Sequence, residues 1–129
     1  MMAREIKFRA KSDGIWVYGE LHLMCRMPHI HCPEARPIKT DTVGQFSGLR
    51  DKYGKEIYEG DVVRWRRLKS KDEVDEQICY IGFHALSASF RLITKDSDYA
   101  IGNRGIPTDC FEVIGNMWDN RELITWLRE

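Results

Sequence analysis

Gly44-Gln45-Phe46-Ser47-Gly48-Leu49-Arg50-Asp51-Lys52-Tyr53-Gly54-Lys55-Glu56-Ile57-Tyr58-Glu59-Gly60-Asp61-Val62-Val63 is the stretch from which the architecture can be read. Asp51-Lys52-Tyr53-Gly54 is a turn with glycine in the left-handed position. Glu59-Gly60-Asp61 is a second tight turn. It launches Val62-Val63-Arg64-Trp65-Arg66-Arg67, whose side chains alternate between two faces as in a strand. The turn glycines, the acid Asp61 and the apolar Ile57, Val62 and Val63 are what a fold needs rather than what a reaction needs.

On either side the pattern stays β-like. Ile6, Phe8 and Ala10 alternate with Glu5, Lys7 and Arg9, the mark of a half-buried strand. Asp13-Gly14 is a two-residue turn signal. Beyond it Ile15, Val17, Leu21 and Leu23 share one face, and Trp16, Tyr18, Glu20 and His22 the other. The spacing predicts an N-terminal β-hairpin. Residues 24–41 hold Pro28, Pro33 and Pro37, which predicts an irregular excursion, because proline cannot donate to a strand ladder. Further strands are expected at 77–83, 89–94, 99–101 and 110–117, with a charged loop at 69–76. Asp119 and Glu122 form an acidic capping pattern, and Leu123, Trp126 and Leu127 recur at helical spacing, so the chain is expected to end in one short helix. The turn-Gly-Asp-Val-Val pattern resembles the start of a strand in SH3-like barrels. The expectation is therefore a mainly β protein: an N-terminal β-hairpin and loop over 1–41, then a small SH3-like β-barrel with a short C-terminal helix over 42–129.

Composition narrows the function classes. The 129 residues contain twenty Lys and Arg against twenty Asp and Glu, a formal net charge of zero. A neutral chain has little bulk attraction for nucleic acid or acidic membranes. No run of about 18 apolar residues exists, so no spanning helix and no membrane partner is expected. The start Met1-Met2-Ala3-Arg4-Glu5-Ile6-Lys7 lacks the apolar core of a secretory signal, so a cytoplasmic location is expected. The four cysteines then read as thiols or metal ligands rather than disulfides.

Three clusters bear on chemistry. His22, Cys25, His29, His31 and Cys32 are donors that zinc would accept, zinc being the one cofactor the sequence raises. Their spacing fits no standard finger, and the plainer reading is a loop that holds His and Cys. Arg64, Trp65, Arg66 and Arg67, with Arg104 beyond them, set cations beside an aromatic ring, a combination suited to phosphates and stacked bases. The acids at 72–76 follow at once, and a solvated hairpin accounts for both. Gly102-Asn103-Arg104-Gly105 has the spacing of a nucleic-acid-clamping loop but lacks helical flanks, so a turn is expected. Cys79 and Cys110 fall in apolar strands and read as buried small residues. No catalytic constellation emerges.

The Gly44–Val63 block resembles the signature of the YopX family of phage and prophage proteins. Arg4-Glu5-Ile6-Lys7-Phe8-Arg9-Ala10 is similar to that family's start. Phe111-Glu112-Val113-Ile114-Gly115-Asn116 and Asp119-Asn120-Arg121-Glu122-Leu123 are similar to its end. Lys11 departs from the pattern, standing where the family usually has an aromatic residue. The resemblance implies a β-rich phage protein in the bacterial cytoplasm and brings no catalytic residues with it. The expected function is binding to a protein partner. A nucleic-acid-binding barrel is the first rival, and a metal- or thiol-dependent enzyme at 22–32 the second. Trp16, Tyr18, Trp65 and Trp126 offer more aromatic surface than one small core needs, so a homo-oligomer is also expected.

Overall fold

A computed structural model describes residues 5–102 and 105–128. The chain is mainly β and divides into two compact units, Met1–Gly48 and Leu49–Glu129. In the first unit β1 (Phe8–Ser12), β2 (Ile15–Met24), β3 (Met27–His31), β4 (Ala35–Pro37) and the start of β5 (Lys39–Arg50) form an antiparallel sheet in the order β4-β3-β2-β1-β5. Ala10 lies opposite Val17, and Leu21 opposite Ile30. Ala10, Val17 and Ile30 form the buried core, with Phe8, Cys32, Ile38 and Val43 around them.

β2 changes partner halfway. Ile15–Gly19 pairs with β1, and Glu20–Met24 pairs with β3. Gly19 makes the crossing: a Cβ there would lie 2.2 Å from the His31 carbonyl oxygen. The N-terminal pair is thus continuous with a larger sheet rather than a separate hairpin. The irregular excursion expected over 24–41 is also corrected, since β3 and β4 lie within it. Pro28 is tolerated because it faces Leu23, one step from the Met24–Met27 pair that closes the turn. In a two-residue hairpin that step is a non-hydrogen-bonded pair, so no ladder donor is missed. The expected inner face of β2 is corrected too: Val17 is buried, whereas Ile15, Leu21 and Leu23 are exposed.

The second unit contains β6 (Glu56–Tyr58), β7 (Asp61–Ser70), β8 (Glu73–His84), β9 (Ser89–Ile93), β10 (Asp98–Ala100) and β11 (Phe111–Asn116). Five of these form an antiparallel sheet in the order β10-β9-β8-β7-β11. Strands about 4.8 Å apart would put β7 and β10 about 14 Å from each other in a flat sheet. The Trp65 and Tyr99 ring centroids are 5.6 Å apart, so the sheet is strongly curled. It is nonetheless open, with β10 and β11 as its ends, and the SH3-like closure expected within 42–129 is not what this strand order describes. Ile57, Val63, Trp65, Cys79, Ile81, Leu92 and Phe111 form its core.

The expected C-terminal helix is two short 3₁₀ turns over Arg121–Arg128, broken at Ile124, whose φ of −125° and ψ of 43° are not helical. The break lets Ile124 be fully buried, and Trp126 reaches Tyr80 with ring centroids 6.1 Å apart. The turn before it is organised by Asn116, whose side-chain oxygen accepts from the Trp118 and Asp119 amides. Among the described residues no helix is long and apolar enough to cross a membrane.

The Asp51 and Gly60 turns anchor this unit. Asp51 is buried, and its carboxylate accepts from the amides of Tyr53, Lys55 and Val113, each at 2.9 Å. Gly60 has φ +91°, and a Cβ there would lie 2.4 Å from the Trp118 ring. Its amide donates to the Ile81 carbonyl, and its carbonyl accepts from Met117. The buried Asp61 accepts from the Tyr58 amide at 2.7 Å.

Two outcomes follow for stability. Asp51→Ala leaves three backbone donors without their acceptor and is expected to cost about 2–4 kcal/mol by urea titration. A loss within error of zero would show that the clamp is dispensable. Burial pushes the Cys79 thiol from its usual 9.0 up to about 12. The folded state therefore holds this proton more tightly than the unfolded one. The contribution is complete below pH 9 and is lost as pH rises towards 12. Burial raises Tyr80 in the same sense. The urea midpoint is expected to fall across that range, and Cys79→Ala to shallow the fall. An equally steep fall in the variant would exclude the thiol as a source.

Candidate functional site

The hairpin register divides the His and Cys cluster. His22 lies directly opposite His29, and His31 opposite Glu20, so these side chains share one face of β2 and β3. The His22 and His31 rings meet edge to face with centroids 6.1 Å apart. His29 turns instead towards the hairpin end, its Nδ1 lying 2.8 Å from the Met27 carbonyl oxygen. Cys25 stands in the turn itself, while Cys32 packs against the core and directs its thiol to the Ile30 carbonyl at 3.8 Å. Among the described residues no three His, Cys, Asp or Glu side chains gather around one point. Alternation separates only Cys32 from its neighbour His31; Cys25 is set apart by the turn, and His29 by its contact with the Met27 carbonyl.

The turn that carries Cys25 is strained. Cys25 and Arg26 both adopt positive φ, 52° and 67°. A two-residue hairpin of this geometry favours Asn-Gly, because a side chain in the left-handed region costs about 1–2 kcal/mol.

The arginine segment lies on β7 opposite β8. Arg64 Nη1 pairs with Glu112 at 2.8 Å. Its Nε lies 2.9 Å from a Glu76 oxygen, close enough for charge attraction although off the line of a hydrogen bond. Arg66 reaches the other Glu76 oxygen at 3.4 Å. Arg67 pairs with Asp75 at 3.1 Å and lies 4.7 Å from the Trp65 ring centroid. That pairing holds the Asp75 carboxyl below its usual range. Trp65 is only 5% exposed and belongs to the core. Pairs this exposed contribute about 0–1 kcal/mol each. Their main effect is to balance the charge of the segment. Arg104 lies outside the described residues.

The structure also assembles a site that sequence reading missed. A cavity of about 320 Å³ is bordered by Lys52, Arg66, Arg67 and Asp109, with Leu68, Val74 and Cys110 as its less polar wall. Leu68 faces Val74 in the register of β7 and β8, and both are exposed, at 76% and 51%. Burial and the neighbouring Asp109 raise the Cys110 thiol, so it is a poor thiolate at neutral pH. The signal available in sequence was the apolar Leu68 and Val74 among charged residues; the loop expected over 69–76 is instead the paired ends of β7 and β8. Lys52 and Cys110 come from distant segments, and no local pattern joins them.

Replacing Cys25-Arg26 by Asn-Gly is expected to raise stability by about 1 kcal/mol in urea titration, since Gly and Asn tolerate this backbone. A loss of stability would show that Cys25 or Arg26 makes a compensating contact.

No curated protein matches the chain. The profile described as YopX protein matches residues 7–125, nearly its whole length. The open β architecture and its turn-forming block are therefore those of a member, and the chain belongs to the YopX family.

Proposed function

We propose that this protein is a phage-type accessory protein that works by binding a protein partner rather than by catalysis. The observation that carries this reading is the end of the β2–β3 hairpin. β1 pairs with β2 only as far as Gly19, and β4 pairs with β3 only from His29. The Leu23–Pro28 end thus projects beyond both neighbouring strands. Leu23, Met24 and Met27 on it are exposed, Leu23 at 71%. Two strands alone are marginally stable in water. Large apolar side chains on such a ribbon gain most from burial against another protein, and methionine adapts well to a partner's surface. Membership of the YopX family supports the phage setting, and with it the cytoplasm of a bacterial host.

Nucleic acid is less well supported as the ligand. Stacking needs an exposed ring, and Trp65 faces the core while its neighbouring arginines meet carboxylates. A homo-oligomer would bury the same hairpin, and solution mass separates the two cases.

The test compares the wild-type chain with Leu23→Ser/Met27→Ser, expressed in phage-infected cells and cross-linked before capture. The expected result is one phage or host protein, identified by mass spectrometry, that is enriched with wild type and reduced at least tenfold with the variant. Equal capture by the two would remove the hairpin as the contact. A wild-type dimer in light scattering that the variant reduces to monomer would assign the surface to self-association.

A further inference from the structure

The cavity beside β7 and β8 lies in the other unit from the β2–β3 hairpin. The proposed function rests on the hairpin, so the two surfaces can succeed or fail separately. We infer that this cavity receives an acidic protein segment, one that presents an apolar side chain between carboxylates.

The shape of the ribbon comes first. β11 pairs with β7 only over Asp61–Trp65, and β9 pairs with β8 only from Tyr80. Arg66–Ser70 and the facing Glu73–Glu76 therefore project as a two-stranded ribbon. Leu68 and Val74 form its apolar rung and turn towards the cavity. A volume of about 320 Å³ is at the low end of ligand clefts, which run to about 1,000 Å³. It suits one large side chain with its flanking backbone.

Charge selects the flanks. Lys52, Arg66 and Arg67 border the cavity with Asp109, and Glu76 and Asp75 beside it already balance the two arginines, which leaves Lys52 as the cation open to an incoming acid. The Asp109 carboxylate accepts the Cys110 thiol at 3.6 Å. The Lys52 ammonium lies 5.0 Å from the Tyr53 ring centroid, with no carboxylate bound to it among the described residues. An incoming carboxylate can therefore pair with Lys52 and extend the arginine network without breaking it. A nucleic-acid strand could set a phosphate against the same cations, but it would find no use for the exposed Leu68 and Val74. A second copy of this chain docking by its exposed hairpin would bring Arg26 towards a basic rim, where like charges repel.

The probe is a synthetic pentapeptide with leucine at its centre and glutamate or aspartate at the other positions. It is titrated into the ¹⁵N-labelled full chain and followed by amide chemical shifts. The expected result is saturable shifts at Lys52, Arg66, Arg67, Leu68, Val74 and Cys110. Lys52→Gln is expected to weaken binding about fivefold, the effect of one rim charge. Leu68→Ser is expected to abolish saturation. Both positions are exposed, and the spread of amide shifts reports that each variant is folded. Three outcomes overturn the inference: no shifts at these residues, equal binding when serine replaces the central leucine, or tighter binding of an oligothymidylate to the same amides.

Discussion

The second unit depends on one carboxylate. Asp51 gathers three backbone amides: two close its own turn, and the third, from Val113, ties that turn to β11. The Lys52 amide adds a bond to the Phe111 carbonyl. Together they engage an end strand of the sheet, whose open edge would otherwise invite pairing with another chain. They also fix where Lys52 stands relative to Cys110, on which the cavity depends. Removing the carboxylate would therefore disturb a turn, an edge and a site together.

The same economy explains the glycine turn that follows. Gly60 is held by Ile81 and Met117 through its backbone while the Trp118 ring lies against its α-carbon. Only a residue without a Cβ permits both the left-handed backbone and the ring. Asp61 then accepts from Tyr58 and starts β7. The glycine block is thus a set of three-dimensional constraints concentrated in twenty consecutive residues. That concentration is why the β architecture and the family resemblance were legible from sequence.

Other features were not legible, for a common reason. Alternation shows which residues share a face but not how far a neighbouring strand extends to cover it. Leu21 and Leu23 have the spacing of core residues, yet β1 ends its pairing at Gly19 and leaves them exposed. Proline density at 24–41 suggested irregular chain, because the pairing class of Pro28 depends on where the hairpin closes. The helical period of Leu123, Trp126 and Leu127 gave no sign of the break at Ile124. The His and Cys cluster was compact in sequence, but the strand register spread it over a face, a turn and the core. The cations of Arg64–Arg67 were visible; their partners Glu76 and Glu112 required the register of β8 and β11.

Projection beyond covered sheet unites the two surfaces proposed for binding. In each unit the central hairpin outruns its neighbours, and in each the overhang carries exposed aliphatic side chains. A two-stranded ribbon in water gains little from such residues, because neither face has a third strand to bury them. The β7–β8 ribbon offsets this with cross-strand ion pairs at Arg66 and Arg67, each of modest strength. The β2–β3 ribbon instead accepts two strained residues in its turn. Neither device makes the aliphatic side chains useful to the isolated chain. Their exposure costs solubility and gives no folding stability in return, and burial by a partner is what would turn that cost into affinity.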